Sequence, residues 1–274
     1  MRLPKPKKII APRYVAGLSL FKRKMIKIKL SANESALGPS PKAIKEYNKV
    51  SKNFKRYPDT NGTTLKKVIA NKFKIDKDRI VLGSGSDQIF ELACNAFIKK
   101  NDEVIVPKYS FIIYRIYSKL NGAKIIYAKE KNFTISVKDI LSKVTRKTKL
   151  VFLANPNNPT GTYITKKEVM HLRKKLRNDI LLVIDDAYSE YLNEKDYLSG
   201  LKLFSKYKNV LVTRTFSKGR NKVSESLSTI GFETNSRASR KIFCWTATLG
   251  YTDTSVMRRW RVFGNDSEKN LAIL

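Results

Sequence analysis

Apolar and polar positions follow one another in blocks along most of the chain. Short, nearly continuous apolar runs, such as 149–156, are typical of strands that helices cover on both faces. Between these runs lie stretches with apolar residues at helical spacing. The predicted strands are residues 79–85, 102–107, 123–128, 149–156, 179–188 and 209–218, and the predicted helices are residues 39–50, 63–73, 86–98, 111–122, 137–144 and 166–176. This order predicts an α/β fold with a mostly parallel, doubly wound sheet.

Capping residues mark several of these boundaries. Ser40 followed by Pro41 is typical of a helix start, and Thr63 or Thr64 is expected to cap the second helix. Gly122 is expected to end the fourth helix.

Polar signatures follow four of the predicted strands at the point where each strand ends. They are GSGSD at 83–87, NPNNPTG at 155–161, DDAY at 185–188 and TFSK at 215–218. Ligands of doubly wound sheets collect at the carboxyl ends of the strands. The coincidence of the four signatures therefore predicts one binding site at that edge.

Each signature also has an ordinary structural explanation. GSGSD is a common kind of strand-to-helix turn, although the N–H groups of Ser86 and Asp87 are suited to a phosphate. NPNNPTG is a rigid loop from which Asn158 can donate an amide hydrogen to a ligand. Asp185 ends an apolar strand, so it needs a partner such as a protonated ring nitrogen; a metal-binding or phosphoryl-transfer aspartate is the alternative. Tyr188 is placed to hydrogen-bond the same ligand.

Lys218 is one of forty lysines, and alone it would count as a surface residue. Partial desolvation and nearby cations lower the pKa of an amine and make it a nucleophile toward aldehydes. Together with Asp185, Asn158 and a phosphate-binding turn, Lys218 predicts covalent attachment of a cofactor.

The charge of the chain is strongly positive. Its 274 residues include 56 basic and 23 acidic side chains, for a net charge of +33. Lysines outnumber arginines 40 to 16 and are scattered along the chain, whereas nucleic-acid sites more often cluster arginines among aromatic residues. We interpret the charge as a solvated basic surface with weak, salt-sensitive affinity for polyanions. A basic polyanion-binding protein is the non-enzyme alternative.

Cysteine and histidine content excludes several other kinds of site. Cys94 and Cys244 lie 150 positions apart and form no metal-binding spacing. The single histidine, His171, lies in a lysine-rich helical stretch, which disfavours histidine-dependent nucleophilic catalysis. The N-terminus lacks the pattern of a signal peptide, and no apolar run approaches the length of a membrane span. We expect a cytoplasmic protein.

The combined motifs resemble the fold-type I pyridoxal-phosphate enzymes and, among them, the bacterial histidinol-phosphate aminotransferases. The segments that carry the resemblance are LSANESALGPSPKAI (30–44), RYPD (56–59), GSGSDQIFEL (83–92), DEVIVPKYSFIIYRI (102–116), VFLANPNNPTGTY (151–163), LLVIDDAYSEY (181–191) and VLVTRTFSK (210–218). The resemblance implies a homodimer with active sites at the subunit interface. It also implies amino transfer between glutamate and imidazole-acetol phosphate, a step of histidine biosynthesis.

The resemblance implies a role for each of ten residues. Lys218 would hold pyridoxal 5'-phosphate, and it would also move a proton during the reaction. The remaining contacts would be Asp185 to the pyridine nitrogen, Asn158 and Tyr188 to the phenolic oxygen, Phe111 to the ring face, Ser86, Asp87 and Ser217 to the phosphate, Tyr57 to the phosphate of the partner subunit, and Asn33 to the substrate.

The resemblance ends at Lys218. The family continues with a Gly-Leu-Ala-Gly-like stretch, a phosphate-binding arginine, a further strand and a small domain. Here GRNKVSESLSTIGFETN follows, with Ser226 at the position expected for the arginine. Residues 1–218 contain 37 Lys and 10 Arg, whereas residues 219–274 contain 3 Lys, 6 Arg and both tryptophans.

We interpret this break as a shifted reading frame or a fused unrelated end. The predicted organisation is an N-terminal arm (1–30), an incomplete cofactor-binding large domain (31–218) and a divergent tail (219–274) with neither the further strand nor the small domain. A sister aminotransferase or decarboxylase of another phosphate-bearing substrate, and an inactive fragment, are the alternatives to a histidinol-phosphate aminotransferase.

Overall fold

A computed structural model describes residues 10–12, 14, 20–21, 24–25, 33, 38–50, 59–204, 207–218 and 244–249. Residues 20–21, 24–25 and 244–249 are described by their backbone alone. Its strands are β1 (Leu20–Phe21), β2 (Lys24–Met25), β3 (Ile80–Gly83), β4 (Glu103–Pro107), β5 (Lys124–Ala128), β6 (Glu130–Lys131), β7 (Thr134–Ile135), β8 (Thr148–Ala154), β9 (Leu181–Asp185), β10 (Val210–Thr215) and β11 (Cys244–Leu249). Its helices are α1 (Pro41–Val50), α2 (Thr63–Phe73), α3 (Ser86–Phe97), α4 (Ile112–Leu120), α5 (Val137–Ser142), α6 (Lys166–Lys175) and α7 (Gly200–Leu203).

Seven strands form the central sheet in the order β3-β11-β10-β9-β8-β4-β5. Neighbours from β10 to β5 pair in parallel, and β11 pairs antiparallel with both β10 and β3. The predicted mostly parallel α/β sheet is confirmed. Since β8, β9 and β10 are adjacent and parallel, their carboxyl ends meet at one edge.

Helices cover both faces of the sheet because consecutive strand residues point to opposite sides. Leu182 and Ile184 of β9 join one apolar cluster, to which α2, α5, α6 and α7 contribute. Leu181 and Val183 join the other, to which α3 and α4 contribute. Every residue of β9 and β10 is buried. This burial on both faces explains the continuous apolar runs in the sequence.

The prediction that residues 219–274 contribute no strand is wrong. Strand β11 lies between β3 and β10, and Trp245 pairs with Arg214 on one side and Leu82 on the other. Its sequence, CWTATL, is rich in aromatic and β-branched residues, which favour strands. Without it, β3 and β10 would face each other with unpaired backbone groups. Strand-like periodicity fades in the Ser- and Thr-rich sequence after Lys218, so the sequence did not single this segment out.

The predicted capping residues had mixed outcomes. Pro41 does begin α1, and the Ser40 hydroxyl accepts a hydrogen bond from the Ala43 N–H at 3.4 Å. The predicted Thr63 or Thr64 cap of α2 is wrong. Gly62, with φ +58°, precedes this helix instead. The Asp59 carboxylate accepts from the Thr64 N–H at 3.3 Å and so provides the missing acceptor from outside the helix.

Gly122 lies beyond the end of α4 with φ +76°, as the predicted stop requires. The β6–β7 hairpin and the short helix α7 were not predicted. Among the described helices, none is long and apolar enough to cross a membrane.

Candidate functional site

Three of the four polar signatures, those that follow β8, β9 and β10, meet at the carboxyl edge of these strands. The backbone N–H of Asn155 donates to the carbonyl of Asp185 at 3.0 Å, and the N–H of Asp186 donates to the carbonyl of Thr213 at 3.0 Å. These bonds tie together the ends of the three strands. The side chains that follow them are therefore held on a rigid edge.

Asp185 lies at the end of β9, is 8% exposed and accepts three hydrogen bonds. Tyr114 donates its hydroxyl to Oδ2 at 2.6 Å. Thr213 Oγ1 and the Ala187 N–H donate to Oδ1 at 3.1 and 3.2 Å. Burial raises the pKa of Asp185, while these donors and the charge of Lys218 lower it. The site thus contains a buried carboxylate supplied with donors, which suits it to face a cationic ring nitrogen.

Lys218, Tyr188 and Asn33 come together beside this carboxylate. Lys218 Nζ donates to the Asn33 carbonyl at 3.1 Å and lies 5.8 Å from the centre of the Tyr188 ring. The Asn33 side-chain amide donates to the Tyr188 hydroxyl at 2.9 Å. Burial raises the pKa of Tyr188, and the Asn33 hydrogen bond opposes that shift. Three of the predicted site residues, from three separate segments, are therefore in contact.

The loop after β8 holds Asn158 at the same edge. Asn155 exchanges two side-chain hydrogen bonds with the backbone of Ile164, at 2.9 and 3.1 Å. Asn157 accepts from the Ser110 hydroxyl at 2.9 Å and donates to the Tyr109 carbonyl at 3.0 Å. Asn158 itself is half-buried and makes no hydrogen bond within the described part of the chain. Its amide is thus available to a ligand while its neighbours fix the loop.

The turn after β3 leads into α3 through Gly85, which has φ +86°. Ser86 and Asp87 are the first two residues of α3, where backbone N–H groups point out of the N-terminal end of the helix. Ser217 is half-buried after β10, and its hydroxyl is 2.8 Å from that of Thr215. These positions are compatible with the predicted phosphate contacts, which stay predictions.

Phe111 immediately precedes α4, and its ring meets the ring of Tyr114 edge-on at 5.7 Å. Tyr57 and Ser226 lie outside the described residues, so the roles assigned to these positions stay predictions.

Tyr114 and Thr213, the two side chains that donate to Asp185, were not predicted from the sequence. A signal exists for Tyr114, because it lies one helical turn after Phe111 and so shares a helix face with it. A second network of polar side chains beside Asp185 was not predicted either. There Asp186 accepts a short hydrogen bond from Ser199, and Arg214 pairs with Glu190.

Burial raises the pKa of Asp186 to about 6 from its ordinary 3.8, although Arg214 and Ser199 oppose the shift. The proton is therefore bound more tightly in the folded state. Its stabilising contribution is present below about pH 4 and is lost as the pH rises through about 6.

Asp186→Asn should remove this dependence, because an amide has no proton to lose. Relative to the unsubstituted chain, the variant should gain about 2 kcal/mol of unfolding free energy between pH 4 and pH 6.5. Urea unfolding of both proteins across this range measures the difference. A constant or falling difference would contradict the assignment.

Comparison with known proteins agrees with this geometry. The model of the aminotransferase class I and II family matches residues 25–223. A histidinol-phosphate aminotransferase of Pelagibacter ubique (strain HTCC1062) is 54% identical over 218 residues, which are 80% of this chain and 61% of that protein. One from Rhodopseudomonas palustris (strain BisB18) is 46% identical over 190 residues, 69% of this chain and 52% of that protein. This chain thus spans about half to three fifths of these relatives.

Solved structures share the fold. A histidinol-phosphate aminotransferase from Sinorhizobium meliloti, in complex with pyridoxal-5'-phosphate, has a TM-score of 0.71 at 22% identity. The match covers 85% of this chain and 58% of that chain. The histidinol-phosphate aminotransferase from Clostridium acetobutylicum has a TM-score of 0.67 at 24% identity, and the match covers 85% of this chain and 63% of that chain. The family model matches well over half of the sequence, and the chain belongs to the class I and II aminotransferase family.

Proposed function

We propose that this chain binds pyridoxal 5'-phosphate on Lys218 and transfers an amino group between glutamate and imidazole-acetol phosphate. The observation that carries the proposal is the contact of Lys218 with Asn33 and of Asn33 with Tyr188, beside the buried carboxylate of Asp185. An amine, a phenol and a carboxylate at the same strand ends match the functional groups of this cofactor.

The residues present fit the cofactor group by group. Asp185 would face the pyridine nitrogen. Burial raises the pKa of this carboxyl, and a cationic nitrogen would join its three hydrogen-bond donors in favouring the anion. Asn158 and Tyr188 would donate to the phenolic oxygen. Phe111 would cover one face of the ring. The phosphate would be bound by Ser86, Asp87 and Ser217, and by Tyr57 of the second subunit in a homodimer.

The cofactor, when bound, supplies an electron sink for the reacting carbon. The protein supplies the proton transfers and the orientation. Lys218 Nζ would move the proton between the reacting carbons, a task typically worth about 10²–10⁴-fold in rate. Asp185 would keep the ring nitrogen protonated. Asn33 would position Lys218 through its carbonyl and would also contact the substrate.

The substrate assignment rests on the relatives, since those named above are histidinol-phosphate aminotransferases. We extend it to this chain, together with a homodimer and a cytoplasmic location. We also propose the boundaries 1–30 for the arm, 31–218 for the cofactor-binding part and 219–274 for a divergent tail. Because Ser226 stands at the position expected for an arginine, we expect slow turnover.

The test is a single-turnover experiment on the purified chain. Adding pyridoxal 5'-phosphate should produce a visible absorption band, and adding histidinol phosphate should then bleach it. Histidinol, which lacks the phosphate, is the matched control and should act far more weakly. The absence of a band would overturn cofactor binding. A band that another phosphate-bearing amine bleaches, but histidinol phosphate does not, would move the chain to a sister enzyme.

A further inference from the structure

Tyr114 has a buried side chain whose hydroxyl contacts a carboxylate of another element. Its ring stacks on Phe152 at 4.5 Å with an interplanar angle of 7°. Phe90 and Phe111 meet it edge-on, with ring centres 5.0 and 5.7 Å away. Three aromatic rings therefore fix the tyrosine, and its exposed fraction is 0%.

The hydroxyl of Tyr114 donates to Asp185 Oδ2 at 2.6 Å, a short distance typical of a charge-assisted bond. Burial and the charge of Asp185 hold the pKa of Tyr114 well above its usual value. The phenol therefore keeps its proton and acts toward the carboxylate as a donor. The other carboxylate oxygen, Oδ1, is supplied by Thr213 and by the Ala187 N–H.

A buried tyrosine needs an acceptor for its hydroxyl, and a backbone carbonyl is a common solution. Ser118, one turn later on α4, uses that solution by donating to the Tyr114 carbonyl at 2.6 Å. Tyr114 instead reaches across to another element and donates to a carboxylate whose pKa burial raises. The bond compensates part of that desolvation, so it acts on the charge state of Asp185.

We propose that Tyr114 is a positioning residue that orients Asp185 toward the cofactor's ring nitrogen and sets Phe111 against the ring face. The proposal rests on the proposed function, because it names how two of the cofactor contacts are linked. Asp185 and Phe111 belong to different elements, β9 and the start of α4, and Tyr114 contacts both. One side chain thereby fixes the distance between the group at the ring nitrogen and the group on the ring face.

Tyr114→Phe tests the proposal because it removes the hydroxyl and keeps the ring. The affinity for pyridoxal 5'-phosphate should fall about tenfold, the usual size for a lost hydrogen bond to a charged group. Ser118→Ala is the matched control, since it removes a buried hydroxyl from the same helix without touching Asp185. Its affinity should be unchanged.

An analogue of the cofactor with C–H in place of the ring nitrogen separates positioning from general damage. If Tyr114 acts through Asp185 on that nitrogen, Tyr114→Phe should leave the analogue's affinity almost unchanged. The substitution should also have little further effect on top of Asp185→Asn. Equal weakening for both cofactors, or an undiminished effect on top of Asp185→Asn, would overturn the positioning role.

A titration without cofactor distinguishes this inference from the proposed function. Carbon-13 NMR of the aspartate carboxyls, with Asp185→Asn for assignment, should show a higher pKa for Asp185 in Tyr114→Phe and no change in Ser118→Ala. The titratable or charged groups that act on Asp185 are Tyr114, Tyr188, Asp186 and Lys218. An unchanged pKa overturns the inference even if the cofactor binds. Failure of the unsubstituted chain to bind the cofactor overturns the proposed function instead.

Discussion

Lys218→Ala is expected to abolish the visible absorption band of the cofactor-loaded chain and to lower single-turnover amino transfer by at least about 10²-fold. Lys218 Nζ lies 3.1 Å from the Asn33 carbonyl and near the Tyr188 ring, where the proposed cofactor would present its aldehyde. Alanine would remove both the proposed attachment point and the proposed base. Absorption spectra and single-turnover bleaching with histidinol phosphate measure the two losses separately.

The control for this substitution must account for forty lysines, any of which can react weakly with an aldehyde. Lys208→Ala is suitable because Lys208 is exposed and precedes β10, whereas Lys218 follows that strand. It should leave the band and the rate unchanged. Borohydride reduction followed by peptide mass spectrometry should place the cofactor on Lys218 in the unsubstituted chain. A band that survives Lys218→Ala and maps to another lysine would contradict the assignment.

Sequence patterns predicted the sheet well because its central strands are buried on both faces. Every residue of β9 and β10 is buried, and the first four residues of β9 and the first three of β10 are apolar, as expected for strands covered on both faces. The convergence of Lys218, Tyr188 and Asp185 was predictable for a related reason. Parallel neighbouring strands end at the same edge, so polar residues after their ends must lie close together.

Contacts between distant segments were not predictable from these patterns. Tyr114 and Asp185 are 71 positions apart, and only the packing of α4 against the sheet brings them together. The cap of α2 was missed because Asp59 reaches the helix from the preceding turn. Strand β11 was missed because its place in the sheet follows from the gap between β3 and β10 rather than from its own surroundings in the sequence.

The largest effect on stability is expected from Arg214, which lies in β10 beside the site. Its side chain is 7% exposed, pairs with Glu190 and donates to the Ser199 hydroxyl at 3.3 Å. Ser199 in turn donates to Asp186, and the charge of Arg214 lowers the pKa of that buried carboxyl. Arg214 is therefore the cation for two carboxylates, one of them adjacent in sequence to Asp185.

Arg214→Met should lower the free energy of unfolding by about 3–5 kcal/mol, the usual cost of removing one partner from a buried ionic network. Methionine retains much of the apolar stem, so the loss reports mainly on charge. Urea unfolding at pH 7 measures it, with an unchanged m-value showing that the two-state transition is preserved. Lys149, which pairs with Asp179 at 3.5 Å on an exposed surface, is the matched control. Lys149→Met should cost less than about 1 kcal/mol.

A triple variant decides whether the cost arises from uncompensated charge or from lost packing. Asp186→Asn and Glu190→Gln remove the two carboxylates that Arg214→Met leaves without their cation. If uncompensated charge is the cause, the triple variant should recover most of the stability that the single substitution loses, because neutral groups are cheaper to bury than unpaired ions. A triple variant no more stable than Arg214→Met would show that the guanidinium acts chiefly by packing, including its contact with the Phe73 ring at 5.7 Å. In that case the charge of Arg214 would contribute little to stabilising the buried carboxyl of Asp186.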